Sequence, residues 1–243
     1  MTKAFDDKAR TEYLAKDEFG ELNYNNTPVK DMIIKEVSVK FARPYIATYH
    51  YSQTMPDSTK YVFAGYYKDK LAGIVVYGMG TGKNQYTALI PSIQKGEYLE
   101  LTRLWSPDSM PKNTESKLIS ESLKMLPNQY KLIISFADGS RMHVGTIYQA
   151  SNWYYCGISN GGRVLVTEDG VEKHTRLLGI YKMRHPELKE YTNEEIMKMY
   201  GWTYGVSHGK HRYCYLRGSK KQKKEMFRLI KNRIQEYPKI DNL

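Results

Sequence analysis

Alternating hydrophobic and polar positions predict most of the strands in this chain. Two runs rich in β-branched and aromatic residues, 61–67 and 71–77, are joined by Lys68-Asp69-Lys70, which predicts an antiparallel hairpin. Residues 98–105 alternate in the same way, and the run 130–137 is apolar enough for a strand buried on both faces. Further strands are predicted over Met32–Phe41, 153–157, 163–167, 176–184 and 212–216.

Helical spacing of apolar residues predicts the remaining elements. A helix begins at Asn113 or Thr114, a second covers Ser140–Ser151, and a third runs over 194–200 and ends at Gly201. A last amphipathic helix is predicted over 220–237, with basic side chains outward and four apolar side chains inward: Met226, Phe227, Ile230 and Ile234. The order hairpin, strand, helix, strand, helix, strand favours an α+β fold, an acetyltransferase-like (GNAT) mixed central sheet flanked by helices.

Composition divides the chain into three predicted parts. Residues 1–30 are polar and turn-rich, 31–209 form a catalytic core, and 210–243 form a basic C-terminal extension. The start of the chain lacks the apolar run of a secretory signal, and no segment is apolar enough to cross a membrane, so we expect a cytoplasmic protein. The two cysteines, Cys156 and Cys214, are too few for a disulfide scaffold and are expected to be packed thiols.

Positive charge is concentrated near the C-terminus. The whole chain has 37 Lys and Arg against 26 Asp and Glu, a net charge of +11, and residues 210–233 alone contribute +9. A localised charge of this size is suited to a polyanion, because each phosphate it neutralises releases condensed counterions. A solvated, solubilising tail is the alternative that charge alone leaves open.

The segment before the helix at 114 is a candidate anion site. Standard acetyltransferases carry an Arg/Gln-x-x-Gly-x-Gly loop there, and this chain has the segment 111–117 instead. Amides at the helix start, together with Lys112 and Lys117, could hold a donor phosphate. An ordinary helix cap is the alternative interpretation.

Four residues are candidates for chemistry. His50 and Tyr51 precede a loop, Asp138 follows the buried strand at the edge where open sheets place their ligands, and Tyr148 lies on the next predicted helix. Each also has an ordinary structural interpretation as a buried histidine, a helix cap or a packed tyrosine.

The sequences around these residues resemble the Mom family of phage DNA-modification proteins. The resemblance spans about residues 32–217 and is carried by 101–106 (LTRLWS), 136–140 (FADGS) and 145–155 (GTIYQASNWYY). It implies a transferase that converts adenine in duplex DNA to N6-carbamoylmethyl adenine and so protects DNA from restriction. It also implies an iron site formed by His50, Tyr51, Asp138 and Tyr148, with Arg103 and Ser116 near the donor.

The product implied by the resemblance cannot arise by simple acyl transfer. Acyl transfer leaves a carbonyl on the adenine nitrogen, whereas a carbamoylmethyl group has a methylene there. Iron would suit mixed His, Tyr and Asp ligation and open a one-electron route. A glycine-derived donor such as glycyl-tRNA is the other route, which makes tRNA a possible partner, and acetyl-CoA stays open as a donor. Asp138 is the candidate proton acceptor.

A target adenine has to leave the duplex stack, at a cost of a few kcal/mol. Trp105, Trp153, Tyr154 and Tyr155 could form a stacking wall or could fill the core. The residues predicted to contact double-stranded DNA are Trp153, Lys210, Arg212, Lys220, Lys221, Lys223, Lys224 and Arg228.

Two other functions are compatible with the sequence. One is an acyl-CoA-dependent acetyltransferase acting on a small amine or a protein, and the other is a non-catalytic nucleic-acid-binding module. The target sequence and the oligomeric state, including a homodimer, are left open by the sequence.

Overall fold

The computed structural model describes residues 28–80, 82–139, 143–159, 161–207 and 209–239, so the predicted lead-in over 1–30 lies almost wholly outside the described residues. The described chain divides into two compact units. The first holds the residues up to Phe136, with Gly145–Gly157 and Arg212–Pro238. The second holds Ala137–Val144, Ile158–His211 and the residues from Lys239 on.

A seven-stranded mixed sheet forms the centre of the first unit. Its strand order is β1-β2-β3-β4-β5-β10-β6; β1 to β4 pair antiparallel, and β4 and β5 pair parallel. The strands are β1 (Ile33–Glu36), β2 (Thr59–Tyr67), β3 (Lys70–Gly78), β4 (Tyr98–Trp105), β5 (Leu132–Ala137), β6 (Tyr154–Ile158) and β10 (His211–Leu216). The α+β fold and the predicted hairpin of β2 and β3 are thereby confirmed.

Five helices accompany this sheet among the described residues of the first unit: α1 (Val39–Tyr49), α2 (Lys83–Thr87), α3 (Thr114–Met125), α4 (Thr146–Ala150) and α7 (Lys220–Ile230). Helix α3 packs its buried Leu118, Ile119 and Leu123 inward, as its spacing predicts. Asn113 stands at the N-cap position of α3, with a left-handed φ of 68° and no capping hydrogen bond from its side chain.

Strands β4 and β5 part after a short parallel contact. Their register pairs Tyr98 to Glu100 with Leu132 to Ile134, whereas the rest of β4 pairs with β3 alone among the described residues. A register irregularity on the β3 side falls between Val76 and Tyr77, next to the point where the strands part. This parting leaves the carbonyl oxygen of Leu101 on β4 to the side chain of Ser135 on β5.

The predicted strand over Met32–Phe41 is wrong in its second half. The strand ends at Glu36, and α1 begins at Val39 because the Ser38 hydroxyl accepts a hydrogen bond from the Phe41 amide at 3.1 Å. Alternation of apolar residues could not reveal this cap.

The helix predicted over Ser140–Ser151 is shorter than expected. Among the described residues of this segment, which begin at His143, it covers only Thr146–Ala150 and is preceded by Gly145 at a φ of +79°. A Cβ at position 145 would collide with the ring of Tyr213, so both the backbone conformation and the space require glycine.

The predicted C-terminal extension is not an appendage. Strand β10 lies inside the sheet between β5 and β6, and α7 follows with a capping box formed by Ser219 and Gln222. Helix α7 ends at Ile230, which is fully buried, rather than at 237. Phe227, predicted to point inward, is 38% exposed.

The second unit has its own small core. Its three-stranded sheet has the order β8-β7-β9, from β7 (Arg163–Val166), β8 (Glu172–His174) and β9 (Thr203–Val206), with helices α5 (Arg176–Arg184) and α6 (Asn193–Met199). The strand predicted over 176–184 is therefore wrong, because buried Leu178 and half-buried Tyr181 pack at helical spacing on this core. The buried core residues are Leu165, Leu178, Leu188, Ile196, Met197 and Trp202.

The two cysteines are buried free thiols on neighbouring strands, as predicted. Their sulfur atoms lie 3.3 Å apart, and the hydrogen bond between them lowers the pKa of Cys156 and raises that of Cys214. Within the described ranges, no helix has the length and apolar character to cross a bilayer.

Arg217 ties the end of α3 to the sheet. Its guanidinium donates hydrogen bonds to the carbonyl oxygens of Leu126 at 2.7 Å and of Pro127 and Tyr130 at 2.9 Å. Bonds from a charged donor to carbonyls at a helix end are worth more than neutral ones. We expect Arg217→Ala to lower the free energy of unfolding by about 2 to 4 kcal/mol, measured by urea denaturation.

Lys124→Ala is the matched control for this prediction. Lys124 forms an exposed ion pair with Glu121 at 2.7 Å, and removing such a pair should change stability by less than about 1 kcal/mol. Equal destabilisation of the two variants would contradict the assigned role of Arg217.

Candidate functional site

Tyr148 reaches the point where β4 and β5 part. The Ser135 hydroxyl oxygen on β5 lies 2.8 Å from the carbonyl oxygen of Leu101 on β4 and 2.7 Å from the hydroxyl of Tyr148 on α4. A serine hydroxyl carries one proton, so when Ser135 donates to Leu101, Tyr148 must donate to Ser135. This chain of hydrogen bonds joins three elements at one spot.

The phenol of Tyr148 is held in its neutral form. Burial raises its pKa well above the ordinary value, the bond to Ser135 acts in the opposite direction, and the charges of Tyr51 and Glu100 raise it further. Tyr148 therefore stays protonated over the whole physiological pH range.

His50 and Tyr51 directly follow α1 in the same unit. His50 is buried, its ring centroid lies 4.3 Å from that of Tyr51, and its Nδ1 accepts a hydrogen bond from the Ser52 amide at 3.1 Å. An Nδ1 that accepts cannot carry the proton, so the neutral ring of His50 carries its proton on Nε2.

Arg103 is bound to protein groups rather than directed outward. Its guanidinium donates to the Thr54 carbonyl at 3.0 Å, to the Thr54 hydroxyl at 3.3 Å and to the Thr102 carbonyl at 2.6 Å. Burial lowers its pKa, while Tyr51 and Glu100 oppose that shift. Arg103 thus holds the loop after α1 against β4, and its predicted donor contact stays a prediction.

Glu100 is a site residue that sequence reasoning missed. It lies half-buried on β4, and a Cβ added at Gly80 would sit 2.7 to 2.9 Å from its carboxyl atoms. Its charge acts on both Tyr148 and Arg103. The sequence did offer a signal for Glu100: a carboxylate within a predicted strand whose neighbouring residues are apolar.

The start of α3 differs from the predicted anion site. Glu115 is half-buried there, and burial followed by repulsion from Asp108 raises its pKa. Lys117 donates to the carbonyl of Lys30, and Ser116 donates to the carbonyl of Asn113 at 3.1 Å. Lys112 alone of the predicted donor-binding residues is exposed and has no hydrogen bond or ion pair among the described residues.

Asp138 belongs to the second unit. Its carboxylate oxygen lies 3.3 Å from the ammonium group of Lys210, whose side chain is 48% exposed. Lys210 therefore already neutralises one protein carboxylate. The convergence of Asp138 with Tyr148, implied by the family resemblance, stays a prediction.

The iron site that the family resemblance implies for His50, Tyr51, Asp138 and Tyr148 stays a prediction. Nδ1 of His50 accepts a hydrogen bond from a backbone amide, and Asp138 is paired with Lys210. Across the described ranges, no group of three or more His, Cys, Asp and Glu residues could hold a metal. The predicted set has only one histidine and one aspartate beside its two tyrosines, so this finding does not test it. We assign these four residues no step through iron.

The predicted stacking wall is core. Trp153 is fully buried, Trp105 and Tyr155 are each 5% exposed, and Tyr154 packs against Phe227 with ring centroids 5.5 Å apart. The prediction that Trp153 contacts DNA is wrong, because no face of its ring is accessible.

The prediction that Arg212 contacts DNA is also corrected. Its guanidinium donates to the carbonyl of Cys156 at 3.1 Å and to the Gln85 side chain at 3.5 Å, so it holds β6 and α2 rather than DNA. The predicted basic residues of α7 are all exposed: Lys220, Lys221, Lys223, Lys224 and Arg228. Their contact with DNA stays a prediction.

Comparison with solved structures finds N-acetyltransferases with a fold similar to that of this chain. The solved structures with a similar fold include a ribosomal-protein-alanine N-acetyltransferase from Brucella melitensis, at 8% identity and a TM-score of 0.42, covering 76% of this chain and 99% of that one. An N-acetyltransferase from Staphylococcus aureus Mu50 has 12% identity and a TM-score of 0.41, covering 76% of this chain and 98% of its own.

A curated relative is the methylcarbamoylase mom of Escherichia phage Mu. It is 32% identical over 132 residues, which are 53% of this chain and 54% of the relative, so the match spans about half of each protein. The model of the Mom protein family matches residues 31–239, which include both units and the sheet. This chain belongs to the Mom protein family.

Proposed function

We propose that this protein modifies adenine in DNA to N6-carbamoylmethyl adenine. The observation that carries the proposal is the family match over residues 31–239, together with a curated relative named for methylcarbamoylation. Protection of the modified DNA from restriction follows from the same proposal.

Proton transfer is assigned to Asp138 and Tyr148. The exocyclic amine of adenine is a weak nucleophile, because its lone pair is delocalised into the ring, so a base must take its proton as the new bond forms. Asp138, whose carboxylate is paired with Lys210, is that acceptor. Tyr148, neutral and beside Ser135, supplies the proton that the leaving group needs.

A glycyl ester is the donor class that these residues support. Glycyl-tRNA belongs to this class. The ester bond breaks as the adenine amine forms an amide, and the leaving oxygen takes the proton of Tyr148 and becomes a hydroxyl. A CoA donor is less well supported, since the Arg/Gln-x-x-Gly-x-Gly loop that binds the CoA pyrophosphate in standard acetyltransferases is absent before α3. This observation also argues against an acyl-CoA-dependent acetyltransferase.

The methylene of the product follows from a rearrangement. N6-glycyl adenine and N6-carbamoylmethyl adenine are isomers. In the first compound, the free glycyl amine can attack C6 of the purine through a five-membered ring. The bond from C6 to the original nitrogen then breaks, and that nitrogen becomes the terminal amide. No electron is gained or lost, so the sequence of steps needs neither oxidant nor metal.

Helix α7 is assigned to the DNA backbone. Lys220, Lys224 and Arg228 are spaced by four residues and therefore lie on one exposed face, away from buried Ile230. Such a row contacts phosphates and sets position rather than sequence.

Tyr148→Phe tests the proton donor. We expect the adduct yield per unit time to fall by about 10² to 10⁴-fold, measured by nucleoside mass spectrometry of DNA from expressing cells. Tyr77→Phe is the matched control, because its buried hydroxyl also bonds a serine, Ser122, at 2.8 Å, but the residue lies outside the site. Asp138→Asn should lower the adduct yield by a factor similar to that of Tyr148→Phe. Unmodified DNA with wild-type protein would contradict the function itself.

Isotope labelling tests the rearrangement. In cells grown with ¹⁵N-glycine, the adduct should lose only unlabelled nitrogen when its terminal amide leaves as ammonia in the mass spectrometer, because the rearrangement makes the original adenine nitrogen the amide nitrogen. Direct alkylation of adenine by a glycinamide-type group would instead place the glycine nitrogen in the amide. A label that leaves with the ammonia would therefore rule out the rearrangement while keeping the overall function intact.

Charge reversal tests the role of α7. Lys220→Glu with Lys224→Glu should weaken binding to duplex DNA and reduce the slope of log K against log salt by about 0.9 for each phosphate that the protein no longer neutralises. The control is Lys60→Glu with Lys95→Glu, which makes the same charge change at two exposed positions elsewhere. Equal weakening in the two proteins would show that only total charge matters.

A further inference from the structure

The two free cysteines lie on neighbouring strands of the first unit. Cys156 is on β6 and Cys214 is on β10, which are adjacent in the seven-stranded sheet. The longest segment of the second unit, Ile158–His211, begins just after Cys156 in the chain and ends just before Cys214. The two residues therefore flank this segment in sequence. We call Cys156 and Cys214 the dithiol.

The two thiols are already in contact. Their sulfur atoms lie 3.3 Å apart, and Cys156 is 4% exposed and Cys214 0% exposed. A disulfide bond is about 2.05 Å long and joins Cα atoms that are about 4.4 to 6.8 Å apart. Neighbouring strands of a sheet lie about 4.8 Å apart, which is within this range. Forming the bond therefore requires rotation of two short side chains and no separation of the strands.

The surroundings make the two thiols unequal. The hydrogen bond with Cys214 lowers the pKa of Cys156, burial opposes that shift, and the charges of Arg212 and Arg233 lower it further. The same hydrogen bond and burial raise the pKa of Cys214. The guanidinium of Arg212 donates to the Cys156 carbonyl at 3.1 Å, which fixes a positive charge beside this residue. Because the thiolate is the reactive form of cysteine, Cys156 is the nucleophile of the pair.

We propose that the dithiol is a redox-active site, at which a small hydroperoxide oxidises Cys156 and Cys214 to an intrachain disulfide. Burial of both residues excludes larger oxidants such as glutathione disulfide. The inference does not depend on the proposed DNA modification, since the oxidation uses only the two cysteines and the oxidant.

The oxidation proceeds in two steps when hydrogen peroxide is the oxidant. The Cys156 sulfur attacks one peroxide oxygen, the O–O bond breaks, and water leaves with the thiol proton, so that Cys156 becomes a sulfenic acid. The Cys214 sulfur then attacks the sulfenic sulfur. The S–S bond forms as the S–O bond breaks, and a second water leaves with the proton of Cys214. The two thiols lose two electrons, and the peroxide gains them.

The disulfide would close a long loop of the chain. The two cysteines are 58 residues apart in sequence, and a cross-link over such a distance removes conformational entropy from the unfolded state. The oxidised protein should therefore melt at a higher temperature than the reduced protein. The bond would also keep β6 and β10 together if the segment between them unfolds.

Peptide mapping after oxidation tests the dithiol directly. The folded, full-length protein is treated with excess hydrogen peroxide and then with catalase, blocked with N-ethylmaleimide in denaturant, and digested with trypsin. We expect the peptides that contain Cys156 and Cys214 to be joined, and dithiothreitol to separate them. Two maleimide-labelled cysteines, or a sulfinic Cys156 beside a labelled Cys214, would overturn the proposal.

Two serine variants test the order of attack. In Cys214→Ser, Cys156 should stop at the sulfenic acid, which dimedone added with the denaturant traps. In Cys156→Ser, the remaining thiol of Cys214 should stay reduced, because it is fully buried and its pKa is raised. Equal oxidation of the single cysteine in both variants would contradict the assigned roles. Circular dichroism shows whether each variant is folded.

A thermal melt tests the effect on the unfolded chain. Oxidised wild-type protein should melt several degrees above the reduced protein, and dithiothreitol should abolish the difference. Peroxide-treated Cys214→Ser is the control, because its methionines are exposed to the same oxidant but it cannot form the disulfide. A disulfide that leaves the melting temperature unchanged would contradict the predicted loop closure.

Discussion

The parting of β4 and β5 is the constraint on which the first unit depends. Two parallel strands that separate expose backbone groups, and a buried polar group without a partner is costly. Ser135 resolves this by bonding the carbonyl of Leu101, and the same hydroxyl fixes Tyr148. The position of the phenol is thus a consequence of how the sheet satisfies its own backbone. Gly145 permits the tight approach of α4 that brings Tyr148 there.

Electrostatic surroundings give the residues near this point different tasks. Tyr148 is kept protonated by burial and by the neighbouring charge of Glu100, while Arg103 is bound by Thr54 and serves to order the loop after α1. His50 accepts from its own chain and so is tied to one tautomer. These contacts position the side chains of Tyr148, Arg103 and His50.

Aromatic residues are abundant in this protein, and their burial separates their roles. Trp153 and Tyr155 stabilise the core, whereas Tyr45 and Tyr49 are half-buried and stack on Trp105. Basic residues divide in the same way. Arg212 and Arg217 bond carbonyl oxygens inside the fold, and the lysines of α7 are exposed. Each of these aromatic or basic residues is of a type that could contact a base or a phosphate. Whether its side chain is accessible to solvent decides whether it can do so.

The sequence by itself determined the hairpin, β4, α3, β5 and the basic face of α7, because periodicity reports which side of an isolated element is buried. It also carried the family resemblance through motifs around Asp138 and Tyr148. Only the tertiary structure decided that residues 39–49 are a helix capped by Ser38, that 176–184 are helical, and that β10 lies inside the sheet. Glu100 could not be identified from the sequence for the same physical reason: burial and proximity arise from contacts between residues far apart in the chain, and the local pattern does not encode those contacts.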